Sequence, residues 1–154
     1  MNFHTKIILH PTDFSNNAAN ALEIATDFLH IPSSRLVILH VCELPTILNN
    51  PLAEDAVAME NEKIKEANEK MNKYISQCFG NQLPVPVPEK EIVLHGSPYK
   101  GIMDAINRID PYMVVIGQKG HSKIKNLIMG STAKHLIEKV HCPITVVPSF
   151  VSLQ

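Results

Sequence analysis

Five short, near-continuous apolar runs constrain this chain more than any other feature. They are Lys6-Ile7-Ile8-Leu9-His10, Arg35-Leu36-Val37-Ile38-Leu39-His40-Val41, Lys90 to Leu94, Met113-Val114-Val115-Ile116 and Cys142-Pro143-Ile144-Thr145-Val146-Val147-Pro148. A strand with one solvated face alternates apolar and polar residues, whereas these runs mostly do not, so they read as strands covered on both faces. Helical patterns separate them. Ala18, Ala21, Leu22, Ala25, Phe28 and Leu29 share one face of the first, which stops near Ile31-Pro32. The second runs from Leu52 to Phe79, charged in its first half and amphipathic in its second (Ala67, Met71, Tyr74, Ile75, Cys78), with Gly80 as its stop. The third opens on Ser97-Pro98, a cap followed by proline at the first helical position, and faces inward through Ile102, Met103, Ile106 and Ile109. In the fourth, Ala133, Leu136, Ile137 and Val140 recur at helical spacing.

The order βαβαβαβαβ predicts an α/β fold. It is an open five-stranded parallel sheet with right-handed crossovers and helices on both faces. With 154 residues the chain reads as one domain, 1–154. In such sheets ligands bind outside the carboxyl ends of the strands, where strand order reverses. The first and fourth strands usually flank that point. Their carboxyl ends are Pro11-Thr12-Asp13 and the loop that begins at Gly117.

That loop carries the strongest chemical signal. Gly117, Gly120 and Gly130 punctuate it, and Ser131-Thr132 follow at the start of the last helix. A helix start offers unpaired N–H groups and the positive end of its dipole, and glycines let a ligand approach the backbone. This combination describes an anion site of the kind that receives phosphate. The span from Pro111 to Ile137 holds Lys119, Lys123, Lys125 and Lys134 and no Asp or Glu. Lysines of this kind also make an ordinary solvated surface, and the glycines also serve turn geometry alone; both readings stand beside the phosphate one.

Other sites find less support. Gly-x-x-x-x-Gly-Lys-Ser/Thr is absent, and the first turn has no glycine for a dinucleotide fingerprint. A phosphorelay receiver would want paired acids after the first strand, where Asp13 stands alone, and an aspartate after the third, which ends in His95-Gly96. His10, His40 and His95 lie near strand ends and could approach one another, but no pair has close ligand spacing, so no metal site is assigned. Asp13 and Ser15 both qualify as helix caps, and Asp13 is also a candidate ligand contact. No nucleophile–base pair and no acidic cluster for two metal ions stands out, so no catalytic residue is assigned.

The net charge of −1 gives no global field for nucleic acid or anionic lipid. No apolar run approaches the ~20 residues of a membrane span, and the N-terminus does not read as a signal peptide. Three scattered cysteines, Cys42, Cys78 and Cys142, read as reduced, buried thiols in a cytoplasmic protein.

Gly117, two residues, Gly120, nine residues, Gly130 and Ser131 resemble the nucleotide-binding signature of the universal stress protein family. The opening Ile7-Ile8-Leu9-His10-Pro11-Thr12-Asp13-Phe14-Ser15, Leu39-His40-Val41, Gly96-Ser97-Pro98 and the closing Cys142-to-Pro148 strand resemble it too, in order over nearly the whole chain. The resemblance implies a Rossmann-like fold of the adenine nucleotide alpha hydrolase-like type, with strand order 3-2-1-4-5. It implies an ATP-binding sensor or regulator in stress response, with Mg²⁺ accompanying the phosphates. Pro11, Thr12 and Asp13 would hold the adenosine end, with Asp13 accepting from the base, and Val41 would lie against the adenine. Ile116, Gly117, Gly120, His121, Gly130, Ser131 and Thr132 would line the ribose and phosphates. Gln118 and Lys119 depart from the family's more frequent Ser and His or Arg, and His121 stands where Arg or Lys is frequent. The resemblance also implies a homodimer through Ile144, Thr145, Val146 and Val147. A slow ATPase or nucleotidyl-transfer enzyme on the same fold, or a dimeric interaction module with an empty site, are the alternatives.

Overall fold

A computed structural model describes residues 4–44, 53–121 and 128–149. Expectations placed on Lys123 and Lys125, and on Leu52 as the start of the second helix, lie outside these residues. The strands are β1 (Lys6–Pro11), β2 (Ser34–Glu43), β3 (Glu89–His95), β4 (Met113–Gly117) and β5 (Ile144–Val147). The helices are α1 (Asn16–Asp27), α2 (Ala53–Phe79), α3 (Pro98–Ile109) and α4 (Ser131–Lys139), with a 3-10 turn at Phe28–His30. All pairings are parallel, and the order is β3-β2-β1-β4-β5, as the family resemblance implied.

The absence of alternation has the expected cause. Ile8, Leu36, Ile38, Met113 and Val115 point to one face, where they meet Ala21 and Leu22 of α1 and Met71 and Tyr74 of α2. Leu9, Val37, Leu39, Val114 and Ile116 point to the other, where they meet Ile102 and Ile106 of α3 and Leu136 of α4. Each strand therefore needs apolar residues at successive positions. The switch of helices from one face to the other falls between β1 and β4. This sets Pro11 beside the loop after Gly117.

Local chemistry fixes the ends. Ser15 caps α1 by accepting from the Ala18 N–H, and Ser97 caps α3. Asp13 is therefore not the α1 cap. Gly80 ends α2 with φ of +57°. Asp110 ends α3 in the left-handed region at φ 50°. Gly101 shows close packing that the periodicity did not reveal: a Cβ there would sit 2.6 Å from Val41 Cγ1, so α3 lies tightly on β2. One core assignment is corrected. Ile137 is exposed, because the short α4 turns only Ala133 and Leu136 inward. Cys42 is buried, while Cys78 and Cys142 are only half-buried.

Candidate functional site

A crevice of about 780 Å³ opens at the carboxyl ends of β1, β2 and β4. Pro11, Thr12, Asp13 and Val41 line it from β1 and β2, and Ile116, Gly117, Gly120, His121, Gly130, Ser131 and Thr132 line it from β4 and α4. Every site residue that the family resemblance named thus reaches one cavity, and Lys119 joins them, whereas Lys134 does not line it.

The turn after β1 is held by its own side chains. Thr12 Oγ1 accepts from the Phe14 N–H at 3.0 Å, and Asp13 Oδ1 accepts from the Ser15 N–H at 3.0 Å. These bonds hold Phe14 at a φ of +65°, a costly conformation for a residue with a bulky side chain. Phe14 packs against His40, with ring centroids 4.2 Å apart, and edge-on against Tyr74 at 5.5 Å.

Asp13 also joins the two halves of the crevice. Its Oδ2 accepts the His121 backbone N–H at 3.0 Å, and its carbonyl accepts His121 Nε2–H at 2.7 Å. Gly120 is the residue that permits this approach. A Cβ at position 120 would fall far inside van der Waals contact of Asp13 Oδ2. Gly117 is nearly as confined, its Cβ position lying 3.0 Å from the Asn17 carbonyl.

At the opposite end stands the start of α4. Gly130 is its N-cap, at extended backbone angles, and offers no side-chain cap. The first bond into the helix runs from the Lys134 N–H to the Gly130 carbonyl. Among the described residues, the N–H groups of Ser131, Thr132 and Ala133 have no acceptor. Ser131, Thr132 and Ala133 all line the cavity, so the helix start, with its free donors and the dipole's positive end, forms one of its walls. The other wall is apolar, built from Leu39, Val41, Ile102 and Ile116.

Beneath the crevice His10 is fully buried. Its Nδ1–H donates to the Val115 carbonyl at 2.9 Å, and its Nε2 accepts the Tyr74 hydroxyl at 3.0 Å. Burial pushes its pKa down to about 4, against the smaller opposing effects of the Val115 bond and the Asp13 charge. Burial likewise lowers His40, whose Nδ1–H donates to the Thr12 carbonyl, and raises the Tyr74 hydroxyl. His95 is engaged elsewhere, accepting from the Ser97 N–H and pairing with Asp104 at 3.2 Å. The three histidines do not converge, and among the described residues no group of three acidic, His or Cys side chains could hold a metal ion.

Sequence reading missed part of the lining: Phe14, Leu39, His40, Glu43, Pro98, Ile102 and, from α2, Lys70. For Leu39, His40 and Ile102 the signal existed, since each ends or faces an element at the reversal point. Lys70 had none, because its position depends on how far α2 reaches across the sheet.

Comparison with known proteins adds the relatives. A family model described as the universal stress protein family matches residues 4–148. Universal stress protein MJ0577 of Methanocaldococcus jannaschii is 26% identical over 156 residues, spanning 92% of this chain and 94% of its own. The solved structure of MJ0577 superposes with a TM-score of 0.79 at 25% identity, covering 96% of this chain and 99% of the other. A universal stress protein from Archaeoglobus fulgidus, solved in complex with dAMP, shares the fold with a TM-score of 0.63 at 20% identity, covering 94% and 98%. Another universal stress protein, solved in complex with cAMP, does so at 0.59 and 14% identity, covering 95% and 98%.

Proposed function

The chain belongs to the universal stress protein family, and from that premise we propose that its crevice binds an adenine nucleotide, ATP, as a sensor or regulator in stress response. The observation that carries this reading is the uncapped start of α4, with its N–H groups and hydroxyls set across about 780 Å³ from an apolar wall. A purine needs the apolar wall, and phosphates need the donors. Adenine nucleotides bound by relatives of the same fold, dAMP in one and cAMP in another, support the same ligand class.

In this reading Pro11, Thr12 and Asp13 hold the adenosine end and Val41 lies against the base. Both Asp13 oxygens already accept protein N–H groups, but each carboxylate oxygen has a second lone pair for the base. Ile116, Gly117, Gly120, His121, Gly130, Ser131 and Thr132 serve the ribose and phosphates. Mg²⁺ would ride on the phosphates and water, as this cation commonly does, with no protein cage needed.

Binding is favoured over turnover for a specific reason. Of the two imidazoles lining the crevice, His40 and His121, each donates one ring N–H to a backbone carbonyl, and among the described residues neither is hydrogen-bonded to a hydroxyl that it could activate. We assign the working form to a cytoplasmic homodimer joined at β5, with no part for nucleic acid or membrane; among the described residues no helix is long and apolar enough to cross a membrane. Mass spectrometry of the small molecules released on denaturing the purified protein tests the ligand. An adenine nucleotide is expected. A protein that releases none and shows no heat with added ATP contradicts the reading, and sustained turnovers without a partner replace it with an enzyme.

A further inference from the structure

Gln118, the first residue after β4, is tied in four directions. Its backbone N–H donates to the Val147 carbonyl at 2.8 Å, and its carbonyl accepts from the Gly130 N–H at 2.8 Å. Its side-chain Oε1 accepts from the Ser149 N–H at 3.2 Å, and its Nε2 donates to the Ile128 carbonyl. Two of these bonds run to the end of the edge strand β5. The other two run to the chain as it returns into α4, one of them to the N-cap itself.

The backbone bonds would form with any residue at this position except proline. The side-chain pair would not. A serine hydroxyl also donates and accepts, but from one atom on a stem two bonds shorter, so a Ser at 118, the commoner family choice, lacks the reach and the two separate atoms with which the amide bridges Ile128 and Ser149. The amide therefore fastens the approach to α4 from outside the crevice, without itself touching the cavity. Ordering a loop in its binding geometry beforehand raises affinity by removing that cost from the binding step.

We propose that Gln118 is a positioning residue for the phosphate end of the crevice, its side-chain amide holding the start of α4 in the geometry that receives anions. This rests on the adenine-nucleotide reading above. It predicts that the two ends of the ligand respond differently. Titration calorimetry with ATP and with adenosine would compare wild type, Gln118→Ala and Gln118→Met, the last keeping most of the volume without the amide. Both variants should lose about tenfold in ATP affinity while adenosine stays within about twofold of wild type. Retained adenosine binding shows that the crevice is folded. A Met variant with wild-type ATP affinity, or equal losses for both ligands, would overturn the positioning role alone. A wild type that binds neither ligand overturns the nucleotide reading and this inference together.

Discussion

Gly120 and Gly130 lie in the same loop, yet they answer to different constraints. At Gly120 a side chain must displace the Asp13 carboxylate, so Gly120→Ala should break the bridge between the two halves of the crevice. We expect ATP affinity to fall about tenfold or more and stability to drop by ~1–3 kcal/mol, read by calorimetry and urea unfolding. At Gly130 a Cβ would meet the Gln118 carbonyl at an ordinary 3.4 Å, and the φ of −69° suits any residue. Gly130→Val should therefore fold and still lose ATP, because its branches fill space before the α4 donors. Unchanged ATP affinity in the folded Val variant would remove this loop from the site. The role of Asp13 was not legible in the sequence. Cap and ligand contact were both open; Ser15 took the cap, and Asp13 was drawn to His121, 108 residues away. No local pattern encodes a partner at that distance.

Among the elements, the strands were legible because burial on both faces leaves a strong signature, and the helices because their caps and stops are local. The reach of α2 was not. Tyr74 meets His10 across 64 residues, and only the packed sheet decides that register. This contact has a pH consequence. Buried His10, held near 4, stays neutral in the fold while an unfolded histidine titrates near 6.5. The unfolded chain therefore binds more protons between these values. Stability contributed by neutral His10 is complete above about pH 6.5 and is lost as pH falls toward 4, by on the order of 3 kcal/mol. His40 acts in the same direction. Urea unfolding across this window should show a shallower loss for His10→Gln than for wild type; equal slopes would contradict the assignment. At the end of α3, Asp110 carries its left-handed φ at a cost that glycine avoids. Asp110→Gly should raise stability by ~0.5–1 kcal/mol in the same assay.

For the whole molecule, the reversal of strand order between β1 and β4 made the candidate site legible. It brought residues nominated from two distant stretches into one cavity. The same topology leaves β5 at an edge. The Pro143 and Val147 carbonyls are taken by β4, so Val146, one step out of phase, directs its backbone groups to the open side. If β5 joins two copies, Val146→Pro or Val146→Lys should yield monomers by light scattering with ATP binding largely kept, since the crevice lies elsewhere on the sheet. A wild-type monomer at micromolar concentration, or a variant that stays dimeric, would place the interface elsewhere. Backbone amide NMR during ATP titration reads the crevice itself. ATP seated there should give saturable shifts at Gly120, Gly130, Ser131 and Thr132 for the phosphates and at Val41 for the base. ATP that leaves these amides unmoved, or moves only residues on another face, would contradict binding in the crevice.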